Sequence, residues 1–243
     1  MTILETNQIV KNFGGLTAVN HVSIKIEEGE VVGLIGPNGA GKTTFLNSIS
    51  GTFRPSGGHA IFDGHDTTGQ SADVMCRKGM SRTFQIPLPF PKLTVLENVM
   101  VGAIFGSQHK RSKPARLRAE ESLEFVRFPL PVETPAEQLN AVQLKRLDLA
   151  RALACGPKLL LLDELASGLT PSELEDMMGL IRQIRDQGVT IVVVEHIMRV
   201  IKGICDRVFV LQYGAKIAEG ATEEVLQNPV VIEAYLGKSE LGH

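Results

Sequence analysis

The densest chemistry in the sequence lies in Gly36-Pro37-Asn38-Gly39-Ala40-Gly41-Lys42-Thr43-Thr44. Gly36, Gly41, Lys42 and Thr43 occupy the fixed positions of G-x-x-x-x-G-K-[ST]. Glycines at those positions let the backbone wrap an anion, so that successive N–H groups, with Asn38 and Gly39 inside the loop, point inward. Lys42 then reaches the β- and γ-phosphates of a nucleotide, Thr43 ligates Mg²⁺ and Thr44 reaches the α-phosphate. Further polar groups stand where apolar runs end, the usual place for ligands in α/β proteins. Asp163 follows four leucines and can hold Mg²⁺ through water. Glu164 is expected to point the other way along the strand pleat and to polarise an attacking water. His196 closes another apolar run and can contact the γ-phosphate or hold that water. Taken singly, Glu164 and His196 also read as ordinary polar strand ends. Their combination with the phosphate loop is what gives them chemistry. Phe13, beside Gly14 and Gly15, serves either as core filler or as an exposed ring for stacking on a base.

These groups need strands and helices to aim them. Val31-Val32-Gly33-Leu34-Ile35 is expected as a buried strand feeding the loop, and residues 42–50 as the helix that follows. The helix N-terminus adds its positive dipole end to the phosphate site. Upstream, Val22, Ile24 and Ile26 alternate with polar residues, so residues 3–35 read as strands and turns, with Glu28-Gly29-Glu30 turning into the loop strand. Downstream, 55–58 is a predicted turn and 60–64 a hairpin strand, with His59 and His65 as solvated surface residues. Residues 80–85 read as strand, and 86–91, with three prolines, as a loop. A short helix is expected near 95–100, a solvated basic loop over 108–118, a helix over 116–128, and a proline break to 135. The span 143–154 predicts a helix with Leu144, Leu147, Ala150 and Leu153 on one stripe and basic residues opposite. Residues 159–163 form a buried strand, and Thr170-Pro171-Ser172-Glu173 is a capping box for a helix facing Leu174, Met177, Met178, Ile181 and Ile184 inward. Another buried strand spans 189–194. A hairpin over 207–218 and helices from Thr222 and Pro229 close the chain. Strands alternating with helices predict a mostly parallel sheet covered on both faces.

The 243 residues suit one large α/β domain, and 43% apolar with 21% charged residues is ordinary for a globular chain. A net charge of −2 gives no basic field for nucleic acid or acidic lipid, and the basic segment 108–118 lacks the interleaved aromatics of a nucleic-acid site. Cys76, Cys155 and Cys205 are odd in number and far apart, which argues for reduced thiols serving as core filler. No apolar run reaches membrane-spanning length, and the first residues lack the pattern of a signal peptide. The expectation is a cytoplasmic chain whose membrane role, if any, comes through a partner.

The order of these motifs resembles that of the ABC ATPases, the nucleotide-binding subunits of ABC transporters, over essentially the whole chain. The resemblance implies a P-loop NTPase core with a mainly parallel sheet, an antiparallel β subdomain and an inserted α-helical subdomain. It divides the chain into a core of 1–93 and 156–243 and a helical subdomain of 94–155. Residues 36–44 become the Walker A loop, Phe13 the adenine-stacking aromatic with Val19 beside it, and 159–163 Walker B with Glu164 as catalytic base. Gln85 becomes the Q-loop glutamine, touching Mg²⁺ and water, Ser167, Gly168 and Leu169 the D-loop, and His196 the switch histidine. The expected cofactors are ATP and Mg²⁺, the latter at Thr43, Gln85 and Asp163. Expected partners are membrane-spanning permease subunits and a second ATPase subunit, identical or not. Residues 13–19, 82–85, 93–99 and 232–237 resemble the ATPases of branched-chain amino-acid importers in particular. Three positions depart from the family pattern. The signature, usually Leu-Ser-Gly-Gly-Gln, is Leu139-Asn140-Ala141-Val142-Gln143; Leu165 stands where proline is usual; Thr170 stands where aspartate is usual. A soluble ABC protein without a transporter, or a weakly hydrolysing regulatory subunit, are the rival readings. Proteins of the first kind usually have paired domains or long coiled-coil insertions, and this sequence shows neither; intact Glu164 and His196 count against the second.

Overall fold

In the computed structural model, residues 1–107 and 113–236 are described. The alternating N-terminal segments form long antiparallel strands, β1 (Thr2–Phe13) and β2 (Leu16–Glu27), with Val22, Ile24 and Ile26 buried as their period requires. The apolar run that follows is β3 (Val31–Ile35), and the phosphate loop leads into α1 (Lys42–Ile49). β4 (Gly57–Phe62) takes in Gly57 and Gly58, so the turn is narrower than residues 55–58, and it pairs with β1 and with the short β5 (His65–Asp66). The result is a four-stranded antiparallel sheet in the order β2-β1-β4-β5.

α2 (Ala72–Lys78) is a helix that the hydrophobic period does not reveal, since Met75 is its one buried side chain. Its ends carried the signal instead: Ser71 before it, Asp73 in the first turn, Arg77 and Lys78 in the last, and Gly79 at φ 103° beyond it. β6 (Met80–Arg82) stops three residues short of the expected end, because its pairing with the neighbouring strand runs out at Arg82. α3 (Val95–Phe105) is longer than expected and opens on a Thr94–Glu97 capping box. The basic segment falls partly outside the described residues. Of its described part, Arg116 and Arg118 lie in α4 (Ala115–Phe125), and Arg118 is no solvated side chain: it donates to the carbonyls of Ala103 and Ala154. α4 ends three residues before Phe128. A 3-10 turn (Ala136–Gln138) precedes α5 (Ala141–Ala154).

α5 corrects a second expectation. The stripe of Leu144, Leu147, Ala150 and Leu153 with basic residues opposite does not describe its burial, because Lys145 and Asp148 are buried with Leu147, Leu149 and Ala150. The helix lies between α3, α4 and the sheet, so both of its faces are covered. Gly102 of α3 permits that packing: a Cβ there would lie 2.3 Å from the Arg151 carbonyl oxygen.

The remaining elements are β7 (Leu159–Asp163), α6 (Pro171–Asp186), β8 (Thr190–Val194), α7 (Met198–Ile204), β9 (Arg207–Gln212), β10 (Ala215–Ala221), α8 (Thr222–Leu226) and α9 (Pro229–Leu236). α7 is the other helix the sequence reading leaves out. The second sheet has the order β10-β9-β3-β8-β7-β6, parallel throughout except at the edge strand β10. Its buried strands send successive side chains to opposite faces. Val31, Ile35, Leu160, Leu162, Ile191 and Val193 join the apolar cluster under the helices. Val32, Leu34, Leu159, Leu161, Val192 and Val194 join the one shared with α1 and the antiparallel sheet. This double burial is why the strands read as continuous apolar runs. Cys155 and Cys205 are buried and Cys76 is half-buried; Cys155 Sγ donates to the Arg151 carbonyl oxygen at 3.4 Å. Among the described residues no helix is long and apolar enough to cross a membrane.

Candidate nucleotide site

β6, β7, β8 and β3 run parallel, so the segments that leave their carboxyl ends emerge on one edge of the sheet. The phosphate loop leaves β3, Asp163 ends β7 and Glu164 follows it, Glu195 and His196 follow β8, and Thr83 to Gln85 follow β6. Sequence order scatters these residues; parallel pairing gathers them.

The phosphate loop has the conformation its glycines permit. Gly39 and Gly41 adopt φ 78° and 97°, and a Cβ on Gly41 would sit 2.4 Å from the Ala18 carbonyl oxygen. Phe13, Asn38, Gly39, Gly41, Lys42, Thr43, Thr44 and Glu164 line one cleft of ≈ 520 Å³ with Leu16, Thr17, Ala18, Tyr213 and Gly214. Lys42 is buried and folds over its own loop, Nζ donating to the carbonyl oxygens of Gly36 at 2.8 Å and Pro37 at 2.9 Å. Burial lowers its pKa, while the charges of Glu164 and Asp163 oppose that shift. Phe13 is exposed at the cleft, its ring edge-on to Phe53 at 5.4 Å with Lys11 Nζ 5.0 Å from its centroid. Of the two roles open to Phe13, core filler is therefore excluded. Val19 is a correction: it is fully buried under the antiparallel sheet, and Leu16, Thr17 and Ala18 line the cleft in its place. The strand pleat decides this, since Val19 shares the inward face that the core claims.

Asp163 is 2% exposed; its Oδ2 accepts from Arg82 Nη2 at 2.7 Å and its backbone N–H donates to Thr83 Oγ1 at 3.3 Å. Its Oδ1 is buried without a partner among the described residues. Glu164 is not aimed by the strand pleat, as the sequence suggested. β7 ends at Asp163, and Glu164 turns at φ 49° into the left-handed region that non-glycine residues rarely occupy. Its N–H donates to the Val194 carbonyl oxygen at 2.9 Å, and its Oε2 accepts from Gln85 Nε2 at 2.6 Å. Gln85 and Glu164 therefore touch. His196 is exposed just past β8 and does not line the cleft.

Two residues that the sequence reading passed over hold this edge together. Glu195 is buried, with Oε1 accepting from the Ala166 N–H at 2.7 Å; burial raises its pKa against the pull of that bond and of His196. Lys145 donates to the Leu165 carbonyl oxygen at 2.9 Å and to that of Ser167, pinning the loop that contains Ser167, Gly168 and Leu169. Its pKa is lowered by burial, opposed by Glu195 and Glu164. The visible signals were an acid ending an apolar run and a lysine inside a helical stripe.

Asn140, Ala141, Val142 and Gln143 do not line the cleft. They form the exposed start of α5, where Asn140 Oδ1 accepts from the Gln143 N–H and Gln143 Oε1 from the Asn140 N–H, both at 2.9 Å. This end of the helix presents backbone N–H groups outward, suited to an anion carried on another surface.

Thr43 lines the cleft, while Asp163, at the end of β7, and Gln85, bonded to Glu164, stand next to it; together they make a donor set that suits a hard cation. Thr43 and Gln85 offer neutral oxygens, Asp163 offers a buried unpartnered carboxylate oxygen, and Mg²⁺ needs few protein ligands of this kind.

Comparison with known proteins agrees with this geometry. Residues 19–167 match the family model described as ABC transporter, and 215–240 match one described as branched-chain amino acid ATP-binding cassette transporter. The high-affinity branched-chain amino acid transport ATP-binding protein BraF of Pseudomonas aeruginosa is 38% identical over 256 residues, covering 98% of each chain. A nucleotide-free ATP-binding cassette from an ABC transporter superposes with a TM-score of 0.89 at 31% identity, over 98% of this chain and all of that one. A dimeric cassette in a post-hydrolysis state, bound to ADP and Pi, gives a TM-score of 0.81 at 28% identity over 90% of this chain and 98% of that one.

Proposed function

The chain belongs to the ABC transporter family of ATP-binding proteins, and from that membership we propose that it is the ATP-hydrolysing subunit of an importer for branched-chain amino acids. The transport itself runs through separate membrane-spanning permease subunits. One observation carries the ATPase assignment to particular residues: a single cleft holds Phe13, the inward-facing phosphate loop and Glu164. The substrate class is supported by the match over 215–240 and by the near full-length likeness to BraF.

In this reading Phe13 stacks on the base and the backbone N–H groups of residues 38–44 cradle the phosphates. Lys42 leaves the Gly36 and Pro37 carbonyls for the β- and γ-phosphates, a better partner for a partly desolvated ammonium. Thr43, Asp163 and Gln85 would hold Mg²⁺, which would supply positive charge to offset that of the phosphates. Glu164 orients and deprotonates the attacking water, and its bond to Gln85 fixes the carboxylate until water takes that place. His196 closes over the γ-phosphate. Phosphoryl transfer needs little beyond this positioning and charge stabilisation.

Residues 94–155 form the helical subdomain, and 1–93 with 156–243 the core. Since the signature stands apart from the chain's own cleft, it serves the ATP of a second ATPase subunit. Val142 is β-branched and bulky where the family has glycine, which holds a phosphate further from the backbone donors. The active unit is therefore a heterodimer with one strong and one weak site, seated on the inner face of the cell membrane.

Co-purification from native membranes followed by reconstitution tests the assignment. The complex should contain two permease chains and a second ATPase, and liposomes bearing it should accumulate leucine, isoleucine or valine only with ATP inside. A complex that hydrolyses ATP without moving any branched-chain amino acid removes the substrate assignment and leaves the ATPase intact.

A further inference from the structure

Arg82 is the least accounted-for charge near the cleft. Its side chain is 9% exposed and is engaged on three sides. Nη2 donates to Asp163 Oδ2 at 2.7 Å, Nη1 donates to Asn47 Oδ1 on α1, and Cζ lies 5.2 Å from the centroid of the Phe84 ring. Strand β6, helix α1, strand β7 and the segment leading to Gln85 thus meet at one guanidinium. Only a planar fork can serve two acceptors while stacking on an aromatic face. Asp163, its main partner, keeps Oδ2 in that fork, and Oδ1 has no partner among the described residues.

We propose that Arg82 is a positioning residue for Asp163: its fork fixes the carboxylate so that Oδ1 faces the cation that accompanies ATP. The inference rests on reading the cleft as an Mg-ATP site. Two effects of a guanidinium beside a metal-binding carboxylate oppose each other. Its charge repels the cation, and its bond orients the carboxylate. Orientation dominates here, because Asp163 is 2% exposed and, among the described residues, its carboxylate has no other side-chain hydrogen-bond partner to hold it. Lys42, whose electrostatic neighbours include Asp163 and Glu164, competes for any carboxylate set loose. A released Asp163 that turns toward that ammonium takes an oxygen away from the cation. Phe84 is part of the device. Its ring is half-exposed and lines, with Arg82, Phe90, Phe105 and Arg151, a second cleft of ≈ 400 Å³ between core and helices. The ring backs the guanidinium, its centroid 5.2 Å from Cζ, while the fork reaches both Asn47 and Asp163.

Binding of a fluorescent ATP analogue to the purified chain separates these effects. Affinity is measured first in EDTA, then as Mg²⁺ is titrated in. In EDTA, Arg82→Met should bind within about twofold of the unmodified chain, because the phosphate loop and Phe13 are untouched. Its half-saturating Mg²⁺ concentration should rise roughly tenfold, the scale of one charge-assisted hydrogen bond. Arg82→Lys keeps the charge without the fork and should fall between; it decides the matter if the methionine variant does not fold. Phe84→Leu should shift Mg²⁺ half-saturation in the same direction by a smaller factor. An unchanged half-saturation in folded Arg82→Lys and Arg82→Met overturns the inference, and so does a lowered one, which would make Arg82 a competitor of the cation. An unmodified chain whose ATP affinity ignores Mg²⁺ overturns the Mg-ATP reading together with it.

Discussion

Glu164 holds a backbone conformation that a residue of its kind pays for in strain, and its neighbours show what enforces it. The Glu164 N–H is tied to Val194 and its carboxylate to Gln85, so the turn after β7 cannot relax. Glu164→Gln preserves size and both bonding partners while removing the basic oxygen. It should bind ATP normally and slow single-turnover hydrolysis by roughly 10²–10⁴-fold. Wild-type turnover in that variant would show that another group activates the water. Glu195 makes a different prediction, because burial raises its folded-state pKa above the usual 4.5. Between 4.5 and that raised value, the folded chain holds a proton that the unfolded chain has lost. Stability from this group is thus complete below about 4.5 and falls as pH rises through the folded pKa. Glu195→Gln keeps the acceptor for the Ala166 N–H and buries no charge. Melting curves should place the variant above the unmodified chain at pH 7 to 8, with the gap closing as pH falls toward 4.5. A gap independent of pH would mean that Glu195 does not titrate in this window.

At the scale of elements, α5 combines two duties. Its start, Asn140 to Gln143, is the segment proposed as the signature, and one turn further Lys145 grips the loop at Ser167. Asn140 already works as the helix cap, which explains how the helix forms without the family's serine. The changes at Ala141 and Val142 affect what the helix end can approach, not whether it folds. Replacing Asn140→Ser, Ala141→Gly and Val142→Gly together should leave the helix intact, since serine caps about as well as asparagine. Hydrolysis by the isolated chain, where two copies must serve each other, should rise at least several-fold. Equal rates before and after would argue that this signature already supports full turnover and that no asymmetry exists between sites.

Across the whole molecule, the loop at 86–91 shows a division between backbone and side chains. Its backbone is held from inside: Asn98, fully buried, donates to the carbonyls of Phe90, Leu93 and Thr94 and accepts from the Phe90 N–H, and Arg151 donates to Leu88. Its side chains face outward, with Ile86 74% and Leu88 70% exposed. A fixed backbone presenting exposed apolar side chains suits a docking partner. Cysteines placed at Leu88 or Phe90 should crosslink to a permease subunit in the assembled complex. Crosslinks forming only from other surfaces would move the docking site away from this loop.

The sequence by itself determined what local chemistry dictates. The phosphate loop needs glycines at set positions, the buried parallel strands need unbroken apolar runs, and α6 needs the capping box at Thr170 and Glu173. All of these are written in neighbouring residues. Tertiary structure decided what depends on distant partners. Glu164 is aimed by a turn held from β8 and not by the pleat, and Val19 went to the core because a second sheet covers its face. Lys145 and Asp148 are buried because α5 is packed on both sides, which one helical stripe could not disclose. Arg82 found Asp163 across 81 residues through the pairing of β6 with β7. Such pairs depend on which strands become neighbours, and strand order is settled only when the entire sheet forms.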